Sequence, residues 1–84
     1  MNATEKKVNE IIIRKLGIED TDVLAPDTDM KQDLGADSLD EVEIIMELEQ
    51  EFGIEVPDNA AAETHTVGDC CELVSKLLKE KEGV

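Results

Sequence analysis

The sequence predicts a small all-α domain. Three observations point there. Apolar residues recur at helical spacing in three separate stretches, no alternating strand pattern runs longer than Ile54 to Val56, and Phe52 is the only aromatic among 84 residues. A core without aromatics must be built from Leu, Ile, Val and Met, which suits packed helices better than a sandwich or barrel. At this length the chain reads as one domain, residues 1–84, with a small core and marginal stability.

The first helix is expected from about Thr4 to Leu16, with Thr4 as its cap and Gly17 as its stop. Val8, Ile11, Ile12 and Leu16 make its core stripe, and Lys6, Lys7, Arg14 and Lys15 lie elsewhere on it. A long loop follows, from about Ile18 to Asp37, with Val23, Leu24, Met30 and Leu34 as its anchors into the core. Loops of this length in small domains are often functional. The second helix is expected from Ser38 to Glu51 or Phe52, stopping at Gly53. Ile54, Val56 and Pro57 form a connection to a short third helix, capped by Asp58 or Asn59 and running to about Glu63. Thr66 caps a fourth helix to about Lys81, with Val67, Cys70, Cys71, Val74, Leu77 and Leu78 as its stripe. Lys76, Lys79 and Lys81 complement the dipole at its C-terminal end.

The chain carries 22 acidic and 8 basic residues, a net charge of -14. This excludes general nucleic-acid binding, which needs Lys and Arg on phosphates, and disfavours anionic membrane surfaces. It predicts basic protein partners, recruited fast and with strong salt dependence. No apolar run is long enough to cross a bilayer. The start, Met1 to Glu5, resembles neither a signal peptide nor a transit peptide. Cys70 and Cys71 are adjacent, so on a helix their side chains diverge by ~100° and form no ordinary disulfide. Reduced, packed thiols fit a cytoplasmic setting. The acidic run from Asp27 begins like a calcium loop and then fails: Lys31 takes a ligand position, Gln32 replaces the glycine and Ser38 stands where Glu is needed. No specific metal site is expected.

The second helix is unusual in having two apolar arcs. Ile44, Ile45, Leu48 and Phe52 gather on one, the core face. Leu39, Val42 and Met46 gather roughly opposite, with Asp40, Glu43, Glu47 and Glu51 on a flank between the arcs, Glu41 nearer the core and Glu49 near the second arc. One core needs one stripe. The second arc is therefore either covered by the loop or third helix, or it docks partners whose apolar depression is rimmed with Lys or Arg.

Ser38 opens this helix within a stretch, Gln32 to Ser75, that contains no Lys or Arg. Two readings compete. Ser38-Leu39-Asp40-Glu41 fits a capping box, in which the hydroxyl is purely structural. Alternatively Ser38 is where another enzyme attaches a group. Catalysis by Ser38 itself is disfavoured: the pattern is no nucleophile elbow, and the one histidine, His65, reads as an exposed loop residue.

The run DLGADSLDEVEIIMELEQEFGIEVPD, Asp33 to Asp58, closely resembles the acyl carrier proteins of fatty acid synthesis. The first-helix stripe and Thr66-Val67-Gly68-Asp69 extend the resemblance over most of the chain. Ala36 and Asp37 before Ser38, and the Glu-rich helix after it, look more like the fatty-acid type than the peptidyl carriers. The resemblance implies an antiparallel four-helix bundle with a long loop between the first two helices. It also implies a non-catalytic role, with 4′-phosphopantetheine, taken from coenzyme A by a magnesium-dependent phosphopantetheinyl transferase, joined to Ser38 and carrying acyl thioesters. Gly35, Asp37 and Leu39 flank that group, with Asp37 and Asp40 helping the transferase locate magnesium. The docking face for synthase enzymes and acyltransferases is then Leu39, Asp40, Glu41, Val42, Glu43, Met46, Glu47 and Glu49. Met30, Leu34, Leu48, Val56, Ala61 and Thr64 match the positions that shelter the acyl chain. Met30 stands where Phe is usual, and Thr64 where a large aliphatic is usual, so its buried hydroxyl needs a partner. A monomer is implied. Two alternatives remain at this stage: an unmodified acidic adaptor binding basic proteins, and a specialised carrier serving a polyketide-like or other secondary pathway.

Overall fold

Asn2, two residues before the expected Thr4, starts the first helix of this computed structural model, which describes residues 2–18 and 24–82. The Asn2 side chain accepts from the Glu5 backbone N–H at 2.8 Å, and Glu5 Oε1 accepts from the Asn2 N–H at 2.9 Å, a reciprocal box that Thr4 lacks the register to make. Helix α1 spans Ala3–Leu16, α2 Ser38–Phe52, α3 Asp58–Ala62 and α4 Val67–Glu82. Gly17 and Gly53 end α1 and α2 in left-handed conformation, as the sequence predicts. The short α3 departs from expectation. Its cap position is Pro57 with no side-chain hydrogen bond, neither Asp58 nor Asn59 serves, and it stops at Ala62 with none of its residues buried. Among the described residues the β pairing is one isolated bridge, Asp29 with Thr66.

The core forms where the stripes of α1, α2 and α4 meet. Val8, Ile11, Ile12, Ile44, Leu48, Cys70 and Val74 are fully buried, and Leu16, Ile45, Phe52, Cys71, Leu77 and Leu78 pack against them. Burial of this aliphatic surface is the main stabilising term, roughly 1.5–3 kcal/mol per fully buried side chain. Leu24 and Met30 anchor the long loop, with Leu34 packed partly against the core. Val23, the remaining expected anchor, lies outside the described residues.

The loop is ordered by its own hydrogen bonds and by a seam to α4. Asp29 Oδ1 accepts from the Lys31 and Gln32 N–H groups, and Gly35 N–H donates to the Lys31 carbonyl. Gly35 has φ +75°, and beyond its own chain neighbours no atom of the described residues lies within 4 Å of where a Cβ would stand, so it is there for its backbone conformation and not for close approach. The seam runs the other way. Val67 N–H donates to the Thr28 carbonyl and Gly68 N–H to that of Pro26, and a Cβ on Gly68 would lie 2.7 Å from the Pro26 oxygen. Thr66 Oγ1 accepts from the Asp69 N–H while Asp69 Oδ2 accepts from the His65 and Thr66 N–H groups, so the expected Thr66 cap is a reciprocal box.

Candidate functional site: the N-terminus of α2

Asp37, and not Ser38, caps α2. Its carboxylate accepts from the Asp40 N–H at 2.8 Å, and Asp40 returns the bond to the Asp37 N–H at 3.1 Å. The box is shifted one residue from the one the sequence suggests, because D-x-x-D competes with S-x-x-E and the carboxylate adds charge to the cap. Ser38 is thereby released from capping. It is the first residue of the helix and is exposed, in the region where free amides and the dipole favour an anion.

The sequence places no cation in the stretch around Ser38, yet folding brings one there. Lys31 Nζ donates toward Ser38 Oγ at 3.4 Å and lies 3.8 Å from Glu41 Oε1. Lys31 is the last residue before the Lys- and Arg-free stretch, and only the tight turn from Asp29 to Gly35 returns it to α2. His65 is exposed, and its backbone is tied to Asp69 and Met30.

Beyond Ser38 the second apolar arc is open. Leu39 is 64%, Val42 53% and Met46 52% exposed, so neither the loop nor α3 covers it. The acids expected around it are held differently from one another. Glu43 is exposed. Glu47 pairs with Arg14 at 3.2 Å and Lys15 at 4.0 Å on α1, and Glu49 accepts from the Val56 N–H at 2.8 Å. Asp40 serves the cap, and Glu41 faces Lys31.

A cleft of about 500 Å³ lies between α2, α3 and the loop, with Ser38 at its edge. Of the expected acyl-sheltering residues, Met30, Val56, Ala61 and Thr64 line it. Leu48 does not: it is sealed in the α1–α2–α4 core at 0% exposure, and Leu34 packs against that core instead. Ile45, Val42 and Met46 contribute to the wall, as do Glu41, Glu49 and His65, which sequence reasoning does not place there. The Thr64 hydroxyl finds the partner it needs, donating to the Ala60 carbonyl at 2.9 Å. Met30 closes the floor, its sulfur 3.9 Å from Cys70 Sγ.

Cys70 and Cys71 are free thiols. Burial, then the neighbouring Cys71, Asp69 and Glu41 charges, pushes Cys70 up to about 12; burial, then Glu5 and Glu72, pushes Cys71 up to about 11. Both stay protonated and weakly nucleophilic near neutrality. No group of three or more His, Cys, Asp or Glu side chains among the described residues is placed to hold a metal ion. None of the described helices is long and apolar enough to cross a membrane.

A family model for the phosphopantetheine attachment site matches residues 6–74. Among solved structures, a chain assigned as an acyl carrier protein of Mycobacterium tuberculosis is 34% identical, with 88% of this chain and 97% of that chain covered and a TM-score of 0.83. An acyl carrier protein of Thermotoga maritima is 28% identical, with 96% and 98% covered and a TM-score of 0.80. A serine freed from capping at a helix N-terminus, an open apolar arc beside it and the match over most of the chain agree: this protein belongs to the phosphopantetheine attachment site family, whose members are non-catalytic carriers.

Proposed function

We propose that Ser38 is the attachment residue and that the chain carries acyl groups of the fatty-acid type, presenting them to enzymes with basic docking patches. The observation that supports this most is the cap register. With Asp37 holding the helix, Ser38 Oγ is exposed at an anion-favouring helix end and has no structural duty that modification would disrupt. In the transfer, Oγ loses its proton and bonds to the arm's phosphorus, the diphosphate link of coenzyme A breaks, and adenosine 3′,5′-bisphosphate leaves. The bound arm supplies a thiol that holds the acyl group as a thioester.

The residues around Ser38 fit such a group. The first-turn amides and Lys31 suit its phosphate, and the buried Glu41 Oε2, which has no hydrogen-bond partner among the described residues, suits its donors. Leu39, Val42 and Met46 form the apolar centre of the proposed docking face, with Glu43 the most freely available acid beside them. Partner contacts of this composition are weak and salt-sensitive, which lets one carrier serve several enzymes in turn. The cleft is the proposed shelter for the cargo. Its wall mixes apolar side chains with Glu41, Glu49, Thr64 and His65, and α3 above it buries none of its own residues. We therefore expect weaker protection of long acyl chains than of medium ones.

Incubation with coenzyme A, magnesium and a phosphopantetheinyl transferase, followed by intact mass, tests the attachment. The wild type gains a phosphopantetheine-sized adduct and Ser38→Ala gains none. An adduct on Ser38→Ala, or none on the wild type, rejects the assignment.

A further inference from the structure

We infer that Lys31 and Glu41 form a docking pair for the proximal half of the arm, drawing it into the cleft between α2 and α3. This rests on Ser38 being the attachment residue. Lys31 takes the phosphodiester, and Glu41 takes the first hydrogen-bond donor beyond it, the arm's secondary alcohol or its first amide N–H.

The pair is placed by the fold. Asp29 fixes the Lys31 backbone, Gly35 closes the turn onto the Lys31 carbonyl, and the side chain then reaches Ser38 Oγ and Glu41 together. Glu41 follows Ser38 by three residues, so the two share one side of α2 and line the same cleft.

Glu41 is under-satisfied where it sits. Among the described residues Oε2 is buried with no hydrogen-bond partner, and Oε1 reaches only Lys31, at 3.8 Å, too far for a hydrogen bond. Its side chain is 19% exposed, so water satisfies it poorly. Rotation about the terminal torsion exchanges the two oxygens at little cost, so either one can meet a donor entering the cleft. The arm carries such donors close behind its phosphate.

The charges also favour the pair. A phosphodiester on Ser38 lies beside Asp37, Asp40 and Glu41. Without Lys31, repulsion would push it and the arm away from α2. With Lys31 between phosphate and carboxylate, both anions are offset and the arm can lie along the helix.

The test uses the full chain loaded with isotope-labelled arm from labelled coenzyme A, with loading verified by intact mass. Cross-relaxation between the arm and the Lys31 and Glu41 methylenes is then read by NMR, together with arm amide exchange and the phosphorus resonance. The wild type is expected to show these cross-peaks and slowed amide exchange. Glu41→Leu should load equally, lose the cross-peaks and exchange several-fold faster. Lys31→Met should shift the phosphorus resonance and lose the same peaks, while Glu41→Gln, which keeps an acceptor oxygen, should retain them. A loaded wild-type arm that exchanges as free pantetheine does, or a Glu41→Leu variant that changes nothing, overturns the inference alone. A wild type that never gains the adduct overturns the attachment reading and this inference together.

Discussion

The two sides of α2 are built to opposite ends. Toward α1 and α4 the helix is sealed: Ile44 and Leu48 are fully buried against Val8, Ile11, Ile12 and Val74, and the margin is stitched by Arg14 and Lys15 to Glu47 and by Lys7 to Glu51. Toward the loop and α3 it is open: Leu39, Val42 and Met46 are more than half exposed, and α3 is only five residues long without a side-chain cap. One helix thus separates stability from presentation. Truncation should report which side is which. Leu48→Ala removes fully buried bulk and should cost about 2–5 kcal/mol, enough to threaten a domain whose total is of order 5 kcal/mol or somewhat more. Met46→Ala should stay within about 0.5 kcal/mol. Denaturant midpoints measure both, and equal losses would break the division.

The seam between the loop and α4 belongs with the sealed side. Gly68→Ala would drive a methyl group to 2.7 Å from the Pro26 carbonyl oxygen, a backbone atom that cannot swing aside. The expected loss is about 1–3 kcal/mol, seen as a lowered thermal midpoint. Because that seam fixes the turn carrying Lys31, the Lys31–Ser38 contact should loosen with it. A variant as stable as wild type would show the approach to be slack.

Much of this is legible in the chain. The stripes of α1, α2 and α4 are strong 3.6-residue patterns, and each names residues that the structure buries, Val8, Ile11, Ile44, Leu48, Val67 and Val74 among them. The second arc of α2 is visible for the same reason, since periodicity gives both faces of a helix. Three features are not legible. The cap of α2 turns on a one-residue choice between Asp37 and Ser38, two good capping residues with acidic residues three positions on. The nearness of Lys31 to Ser38 depends on the path of a loop, which no period encodes. The engagement of Glu47 by Arg14 and Lys15 depends on how two helices are rotated against each other, so in the sequence Glu47 looks as available as Glu43. The family resemblance assigns Leu48 to the acyl shelter and the residue's own stripe places it in the core; in this structure it is fully buried and does not line the cleft.

The cap distinguishes the helix end as structure from the helix end as tether. Asp37→Ala should cost roughly 0.5–2 kcal/mol through the lost bond to the Asp40 N–H. Ser38→Ala should cost less than about 0.5 kcal/mol, since its hydroxyl holds no backbone group, while removing the proposed attachment entirely. Asp37→Asn keeps a capping oxygen and removes the charge. It therefore tests the proposed part of Asp37 in placing magnesium during arm transfer without confusion from unfolding: slowed transfer is expected, and transfer at the wild-type rate would remove that role.

Two sets of titrating groups bound the pH range of the sealed side. The Asp69 carboxyl is held below its ordinary 3.8 by the His65 and Thr66 backbone N–H groups. The unfolded chain takes up that proton first, so the stabilisation is present above about pH 3.8 and is lost as pH falls through the lower folded value. Cys70 and Cys71, raised from 9.0 to about 12 and about 11, work in the opposite sense. Their contribution is complete below pH 9 and is lost as pH climbs toward those values, because the unfolded thiols ionise first. Denaturant midpoints should hold a plateau and decline at both ends, and Asp69→Asn should flatten the acid limb. An acid limb unchanged in that variant would remove Asp69 from the account.

The smallest effect lies within the proposed docking face itself. Glu43 and Glu47 look equivalent on a helical projection, but Glu43 is exposed while Glu47 is 31% exposed and held by two α1 cations. A partner's Lys or Arg must compete with Arg14 and Lys15 for Glu47, whereas Glu43 is available to it directly. An exposed ion pair is worth roughly 0.2–1 kcal/mol, a factor of about 1.5–5 in association. Glu43→Gln should therefore slow association with a basic partner by that factor at low salt, and the difference from wild type should vanish as salt is raised. Glu47→Gln should leave association nearly unchanged and slightly lower the thermal midpoint, because what it loses is the tether to α1. Stopped-flow association at two ionic strengths separates the two. If Glu47→Gln slows association as much as Glu43→Gln does, the partner reaches past α1, and the boundary between the sealed and the open side lies further round the helix than the exposures place it.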